Sequence, residues 1–428
     1  MTKSLRAVKS LSGTIIPPPD KSVAHRAALF SAIASGTSHI HNFSDAADPQ
    51  STLRCLEMLG IGVEKADDVL TIHGRGLHGF TEPHAPLDCG NSGTTMRLLA
   101  GILAGQHFPA ELTGDQSLLR RPMSRIAEPL TRMGANIELS GGLPPIQIRG
   151  SGRLESIRYD MPVASAQVKS CVLLAGLFGD GQSMVVEQHP TRDHTERMLG
   201  LSILEVGGKR QIAIDGGMPV PARKWIVPGD FSAAAFFLVA ASIVPDSKLF
   251  LKDVGLNPSR SAFLDVLIAM GGDISVSNER EHGGEPIADL TVRSAELSGV
   301  SIGGSIIPNL IDEIPALAVA AACAHGRTEL RDAGELRVKE SDRIELIVRN
   351  LTALGCEIHE LEDGFVVEGG RPLSGGPAVS DGDHRIAMAM GVAALVASGE
   401  TTIAGAEAAS VSYPGFWDDL RHVSGRQD

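Results

Sequence analysis

The chain has 428 residues, more than one ordinary hydrophobic core accommodates, so two or three domains are expected. Apolar residues make up 43% and charged residues 21%, a globular balance that excludes disordered and fibrous classes. A net charge of −13 with only 4% aromatic residues argues against a nucleic-acid binder, which needs a cationic face and often stacking rings.

Met1 to Asp20 carries Lys3, Arg6 and Lys9 but no apolar core of a secretory signal, so a cytoplasmic protein is expected. The five cysteines (Cys55, Cys89, Cys171, Cys323, Cys356) are scattered without a CxxC, which points to reduced thiols rather than a disulfide framework or a zinc site. The longest nearly apolar run, Phe231 to Val244, is too short to span a bilayer and reads as a buried helix.

In chain order, six Ala/Leu/Gly-rich stretches read as helices. They begin near His25, Gly93, Ser165, Phe231, Asp312 and His384, at a spacing of about 71 residues that marks a repeat architecture. Each is apolar nearly all round, as a helix buried on every side must be. After four of them comes an amphipathic stretch ending at Gly60, Gly134, Gly271 or Gly355, where a helix C-cap is expected. The third copy, TERMLGLSILEV, is weaker, and the sixth ends with the chain. The unit therefore reads strand–helix–strand–helix–strand–strand: an α/β protein with helices inside and sheets outside, the inverse of the usual layering.

Small hydroxyl and basic residues gather where the apolar helices begin. Examples are Asp20-Lys21-Ser22 with Arg26, Gly93-Thr94 with Arg97, Ser165-Ala166-Gln167 with Lys169, and Asp383-His384-Arg385. A helix N-terminus presents free N–H groups and a partial positive charge, so it favours anions. Several such termini, each beside a Lys or Arg, point to a ligand with more than one negative group. Further basic clusters surround Arg120-Arg121, Arg192 and Arg337 to Arg343. Taken singly, each reads equally well as a surface ion pair.

Two carboxylates stand within this cationic set. Asp312 opens the fifth apolar helix, where an N-cap is the plain alternative. Glu340 lies between Lys339 and Arg343, where a salt bridge is the plain alternative. Either is able to serve as a general acid or base if its environment tunes it. P-loop, HExxH and GxSxG motifs are absent. The pair His39 and His41 lacks a third metal ligand and reads as solvated strand histidines, and Cys89 has no nearby histidine partner and reads as a small structural thiol.

The segments DKSxxHR, LDCGNSGTTMRLL, LTGDxSLxxRPM, ASAQVKSCxLLAGL, TRDHTERML, IDEIPALAVAAA, LRVKESDRI and DHRIAMAM together resemble the 5-enolpyruvylshikimate-3-phosphate synthase (3-phosphoshikimate 1-carboxyvinyltransferase) family over nearly the whole chain. The resemblance implies a two-domain inside-out α/β barrel of six βαβαββ repeats, three per domain. Residues 20–228 would form one domain, and 1–19 with 229–428 the other, with hinges near 18–21 and 227–230. It implies transfer of the enolpyruvyl group of phosphoenolpyruvate to the 5-hydroxyl of shikimate 3-phosphate in aromatic amino-acid biosynthesis. No cofactor or metal is implied, nor a nucleic-acid or membrane partner, and a monomer is expected.

By the same resemblance, Lys21, Ser22, Arg26, Ser165, Ala166, Gln167, Arg192, Asp312 and Lys339 would hold shikimate 3-phosphate. Lys21, Gly93, Thr94, Arg121, Gln167, Arg343, His384 and Arg385 would hold phosphoenolpyruvate. Asp312 would act as base toward the 5-hydroxyl, and Glu340, with Lys21 close by, would handle the proton at the phosphoenolpyruvate methylene carbon. Domain closure would bring these clusters together. Gly93 is the small residue associated in the family with inhibition by glyphosate. The chain departs from the pattern at Pro19, where many relatives have glycine, and at Ala409 to Pro414, which lacks a lysine common there. Its rivals are UDP-N-acetylglucosamine enolpyruvyl transferase, whose loop cysteine has no counterpart between Thr113 and Arg125, a non-catalytic anion-binding protein of the same fold, and RNA 3′-phosphate cyclase, which shares the repeat.

Overall fold

The computed structural model describes residues 1–425. The chain divides into two compact units. The N-terminal unit comprises Pro19–Pro228 with the hairpin tip Glu281–Glu285, and the C-terminal unit comprises Met1–Pro18, Gly229–Arg280 and the chain from Pro286 onward.

The N-terminal unit is built around the helices Lys21–Ile33, Gly93–Ala104 and Ala166–Gly176. Their residues are apolar on all faces, and nearly all are buried beyond the first turn. Three four-stranded sheets cover them. In the second sheet, Leu87–Asp88 runs parallel to Pro109–Thr113, which is antiparallel to Leu143–Arg149, which is antiparallel to Asn136–Ser140. The third sheet repeats this order with Arg158–Asp160, Gln182–Glu187, Lys209–Asp215 and Ile203–Val206. Burial alternates along the strands, as in Ser35–His41 and Leu143–Arg149, so each sheet gives one face to the helices and one to water.

The C-terminal unit repeats the plan with helices Phe231–Ile243, Ile314–Cys323 and His384–Ala393. Two of its sheets are four-stranded and one three-stranded. The structure adds a feature that the repeat pattern does not contain. The strand before the first helix, Ser12–Ile15, pairs not with Ser35–His41 but with Lys248–Gly255. Lys224–Ile226 fills the vacated place beside Ser35–His41. In the sixth repeat, Thr2–Arg6 pairs antiparallel with Glu400–Ala404.

The amphipathic helices end as their glycines require. Gly60, Gly134, Gly271 and Gly355 all have positive φ, from 80° to 102°. The weak third copy also forms its helix, His194–Leu199, which closes on Gly200 at φ 70°. A Cβ on Gly134 would meet nothing within 4 Å, so backbone strain alone opposes a side chain there. Gly134→Ala is expected to destabilise its unit by about 1 kcal/mol and Gly134→Asn by less, because Asn tolerates the left-handed region. Chemical denaturation of the three proteins checks the order.

Candidate functional site

Five of the six apolar helices begin with a side chain that caps the backbone. Asp20 accepts from Val23 N at 2.8 Å, Ser92 from Thr95 N at 3.0 Å and Ser165 from Val168 N at 3.4 Å. Asp230 accepts from Ala233 N at 3.2 Å, and Asp383 from Arg385 N at 2.8 Å. Each cap satisfies one orphan donor, or two in the case of Asp383, which also accepts from Ile386 N at 3.4 Å, and leaves others for a ligand. The exception is Ile314–Cys323, which has no side-chain cap. Asp312 therefore does not open that helix as the sequence suggests. It lies in the turn between Ile307–Leu310 and Ile314–Cys323, and its carboxylate is turned to arginines instead.

In the N-terminal unit the three helix starts are wired together. His25 Nδ1 lies 2.7 Å from Thr52 Oγ1, which lies 2.8 Å from Thr95 Oγ1, and Thr95 donates to Ser92 Oγ. Thr95 having spent its proton, Thr52 donates to Thr95 and His25 donates to Thr52. Burial holds the His25 ring neutral by pushing its pKa down to about 3. Gln167 donates to Thr94 Oγ1 at 2.9 Å and accepts from Arg97 at 2.6 Å. Arg26 is buried, with Nε on Thr195 Oγ1 and Nη2 on Ser170 Oγ. Burial brings its pKa down to about 10, against the pull of Glu196 and Glu285.

Lys21, at the first position of its helix, pairs with Asp48 at 2.9 Å. Arg121 donates to Asn91 Oδ1 at 2.7 Å. Gly93 runs so close beneath two guanidinium groups that a Cβ would come within 2.7 Å of Arg97 Nη1 and 3.4 Å of Arg121 Nη1. Arg192 lies on the loop after Gln182–Glu187, which Lys169 holds from within by bonding Glu187 at 3.0 Å and Glu196 at 2.7 Å. Lys169 is fully buried, so it is an internal ion-pair partner rather than the anion-facing residue its place at a helix start suggested.

In the C-terminal unit the centre is Arg343, the largest fully buried side chain. Its guanidinium meets Asp383 Oδ2 at 2.8 Å, Glu340 Oε2 at 2.7 Å and Asp312 Oδ1 at 3.4 Å. Burial opposes its charge, but the three carboxylates outweigh it and raise its pKa. Burial would likewise raise Asp383, yet Arg343 and His384 hold it below the usual carboxylate range. Arg385 Nη1 donates to the Asp312 carbonyl at 3.0 Å, with Nη2 3.6 Å from its carboxylate. Burial lowers the Lys339 pKa, and Arg343 adds to that effect while Asp312 and Glu340 oppose it. Of the two plain alternatives, the salt bridge at Glu340 is present, whereas Asp312 is paired with arginines and caps no helix.

The structure groups Lys21, Ser22, Arg26, Gly93, Thr94, Arg121, Ser165, Ala166, Gln167 and Arg192 in one unit and Asp312, Lys339, Glu340, Arg343, His384 and Arg385 in the other. The sequence reading missed Asp48, Asn91, Arg97 and Asp383 as partners of these groups. Arg337, from the same basic run, pairs with Asp342 and Glu360 at the surface. Among the described residues no group of three or more His, Cys, Asp or Glu could hold a metal ion, and no single helix is long and apolar enough to cross a membrane. Cys89 is fully buried. A hydrogen bond with Cys55, and then burial, raise its pKa well above the ordinary thiol value, as suits a packing thiol.

Residues 5–420 match the family model described as EPSP synthase (3-phosphoshikimate 1-carboxyvinyltransferase). The chain belongs to the EPSP synthase family. A protein of Salinibacter ruber named 3-phosphoshikimate 1-carboxyvinyltransferase is 60% identical over 428 residues, covering 99% of this chain and 100% of the relative. One of Syntrophomonas wolfei with the same name is 50% identical, covering 99% and 100%. A solved EPSP synthase from Acinetobacter baumannii superposes with a TM-score of 0.87 at 44% identity, covering 98% of this chain and 97% of that one. The two-domain α/β fold is thus the family's own.

Removing the Arg343 cation takes a shared partner from three carboxylates around one buried point, while Asp312 keeps its contact with Arg385. Arg343→Met is expected to cost about 3–5 kcal/mol of stability at neutral pH. In the wild type, the contribution of Asp383 is fully present above the ordinary aspartate pKa of about 3.9 and is lost as pH falls through its lower folded value. In the variant the carboxylates that lose Arg343 take up protons more readily. Thermal melts should therefore show a smaller deficit at pH 5 than at pH 7.5.

Proposed function

We propose that this enzyme transfers the carboxyvinyl group of phosphoenolpyruvate to the 5-hydroxyl of shikimate 3-phosphate, releasing phosphate, in aromatic amino-acid biosynthesis. The observation that carries the reading is family membership over nearly the full chain, together with two carboxylates, Asp312 and Glu340, held on one buried arginine. Both substrates are polyanions, which accounts for cationic helix starts in a chain of net charge −13.

Asp312 takes the proton of the 5-hydroxyl as its oxygen attacks C2 of phosphoenolpyruvate, while Glu340 delivers a proton to the methylene carbon. The product is a tetrahedral phospho-ketal. Loss of phosphate, with return of a methyl proton to Glu340, regenerates the vinyl group. Arg121, Arg343 and Arg385 with Lys21, Gly93, Thr94, Gln167 and His384 bind phosphoenolpyruvate. Lys21, Ser22, Arg26, Ser165, Ala166, Gln167, Arg192, Asp312 and Lys339 bind shikimate 3-phosphate. Fixed cations of this kind stabilise charge that grows toward the intermediate. The closeness of Arg97 and Arg121 to Gly93 supports a phosphoenolpyruvate pocket that glyphosate also occupies. The enzyme is proposed to be monomeric and cytoplasmic.

Purified protein should release phosphate from phosphoenolpyruvate only when shikimate 3-phosphate is added, with glyphosate competing against phosphoenolpyruvate. Release with UDP-N-acetylglucosamine instead would sink the assignment. Asp312→Asn and Glu340→Gln should each lower kcat by about a hundredfold or more with the melting curve retained, and a near-normal rate in either removes that residue's role.

A second expectation follows from Lys339. Its lowered pKa means that it loses its proton, and with it part of the affinity for the phosphorylated substrate, at lower pH than an ordinary lysine. The KM for shikimate 3-phosphate should therefore rise early on the alkaline side. Lys339→Arg, which stays charged, should move that rise to higher pH, and identical profiles would rule Lys339 out as its source.

A further inference from the structure

The sequence of the fifth repeat places two carboxylates side by side, Asp312 and Glu313, and the proposed chemistry uses only the first. Glu313 is almost completely buried, at 1% exposure. A buried carboxylate needs partners, and its Oε1 accepts the hydroxyl of Ser232. Ser232 in turn accepts from Arg260 Nη2 at 2.9 Å, and the same nitrogen donates to Asp230 Oδ1 at 2.8 Å. Asp230 is the cap of helix Phe231–Ile243, through Ala233 N. Arg260, at 2% exposure, lies in the turn before helix Ala262–Ala269. Glu313 is therefore tied to a cluster held by two other segments of the C-terminal unit, the start of helix Phe231–Ile243 and the turn before Ala262–Ala269.

Its neighbour is held from elsewhere. The Asp312 carboxylate meets Arg343 and Arg385, and its carbonyl accepts from Arg385. The turn that carries both residues begins at Leu310, whose carbonyl accepts from Glu313 N at 2.9 Å. It enters the one apolar helix whose start has no side-chain cap. Without a cap, side chains that meet the turn add to the constraint its backbone bond supplies. The Glu313–Ser232–Arg260 chain does so on one side and the arginines do so on the other.

We infer that Glu313 is a positioning residue for Asp312: anchored through Ser232 to Arg260, it sets the turn so that the Asp312 carboxylate stands where it takes the substrate proton. This rests on the proposed role of Asp312. Displacing a catalytic group by about 1 Å costs on the order of a hundredfold in rate, whereas substrate binding is spread over many other groups.

The test is a steady-state comparison of Glu313→Ala, Glu313→Gln and Ser232→Ala, with Glu313→Ala also made in the Asp312→Asn background. Glu313→Ala should lower kcat by roughly 10- to 100-fold while both KM values move by less than about threefold. Glu313→Gln, which keeps an acceptor for Ser232, should recover most of the rate. In the Asp312→Asn background the same substitution should change the residual rate by less than about twofold, as coupled residues require.

An equal fold-loss in both backgrounds, or an unchanged kcat in Glu313→Ala, overturns the inference. If Glu313→Ala does not fold by circular dichroism, Ser232→Ala decides: a kcat-selective loss supports the relay, and a wild-type kcat overturns it. A wild-type rate in Asp312→Asn alone would instead refute the role of Asp312, so the two failures are distinguishable.

Discussion

A helix with no polar face can be polar only at its ends. Six such helices form the interiors of the two units, and this constraint governs much else in the molecule. Each N-terminus leaves backbone N–H groups without intrahelical partners, and burial forbids leaving them all unmet. Polar side chains must therefore gather at the helix starts, first as caps and then as cations that share the anion the termini favour. The caps Asp20, Ser92, Ser165, Asp230 and Asp383 and the ligand-binding candidates beside them answer the same requirement.

The two units meet that requirement with different chemistry. In the N-terminal unit the links are mostly neutral: a histidine held uncharged, a line of hydroxyls and an amide joining two helix starts. Neutral links fix geometry without competing for an anionic ligand. In the C-terminal unit the links are ionic, and Arg343 alone serves three carboxylates. Buried ion pairs are costly unless well satisfied, so their concentration beside Asp312 and Glu340 suits groups that must change protonation in a fixed frame. The buried triad of Lys169, Glu187 and Glu196 applies similar means to hold the loop that carries Arg192.

Much of the fold was legible in the sequence because its signals are local. All-round apolarity marked the buried helices, and the glycines at 60, 134, 271 and 355 marked the C-caps because only positive φ ends a helix in that way. The strand exchange was not legible in the residues' own pattern, since a strand before a helix looks the same whichever sheet receives it; only the family resemblance placed residues 1–19 with 229–428. At the site, the candidates that motifs singled out are the ones now grouped within each unit. Their partners were hidden by distance along the chain: Asp48 lies 27 residues from Lys21, Gln167 lies 70 from Arg97, and Asp383 lies 40 from Arg343. Asp312 was misread as a helix opener because Asp before an apolar run is the ordinary cap signal, and the helix begins only at Ile314.

The pairing of Ser12–Ile15 with Lys248–Gly255, and of Thr2–Arg6 with Glu400–Ala404, bears on how the chain is made. On a ribosome these strands emerge before the stretch from Pro19 to Pro228, whereas the strands they pair with emerge only after it. The stretch from Pro19 to Pro228, by contrast, carries every strand of its own three sheets and is free to assemble while translation continues. Domains form as units during synthesis, so strands made before that stretch belong to the unit that is completed after it. During that interval they are unpaired edges that other chains, or a chaperone, could engage.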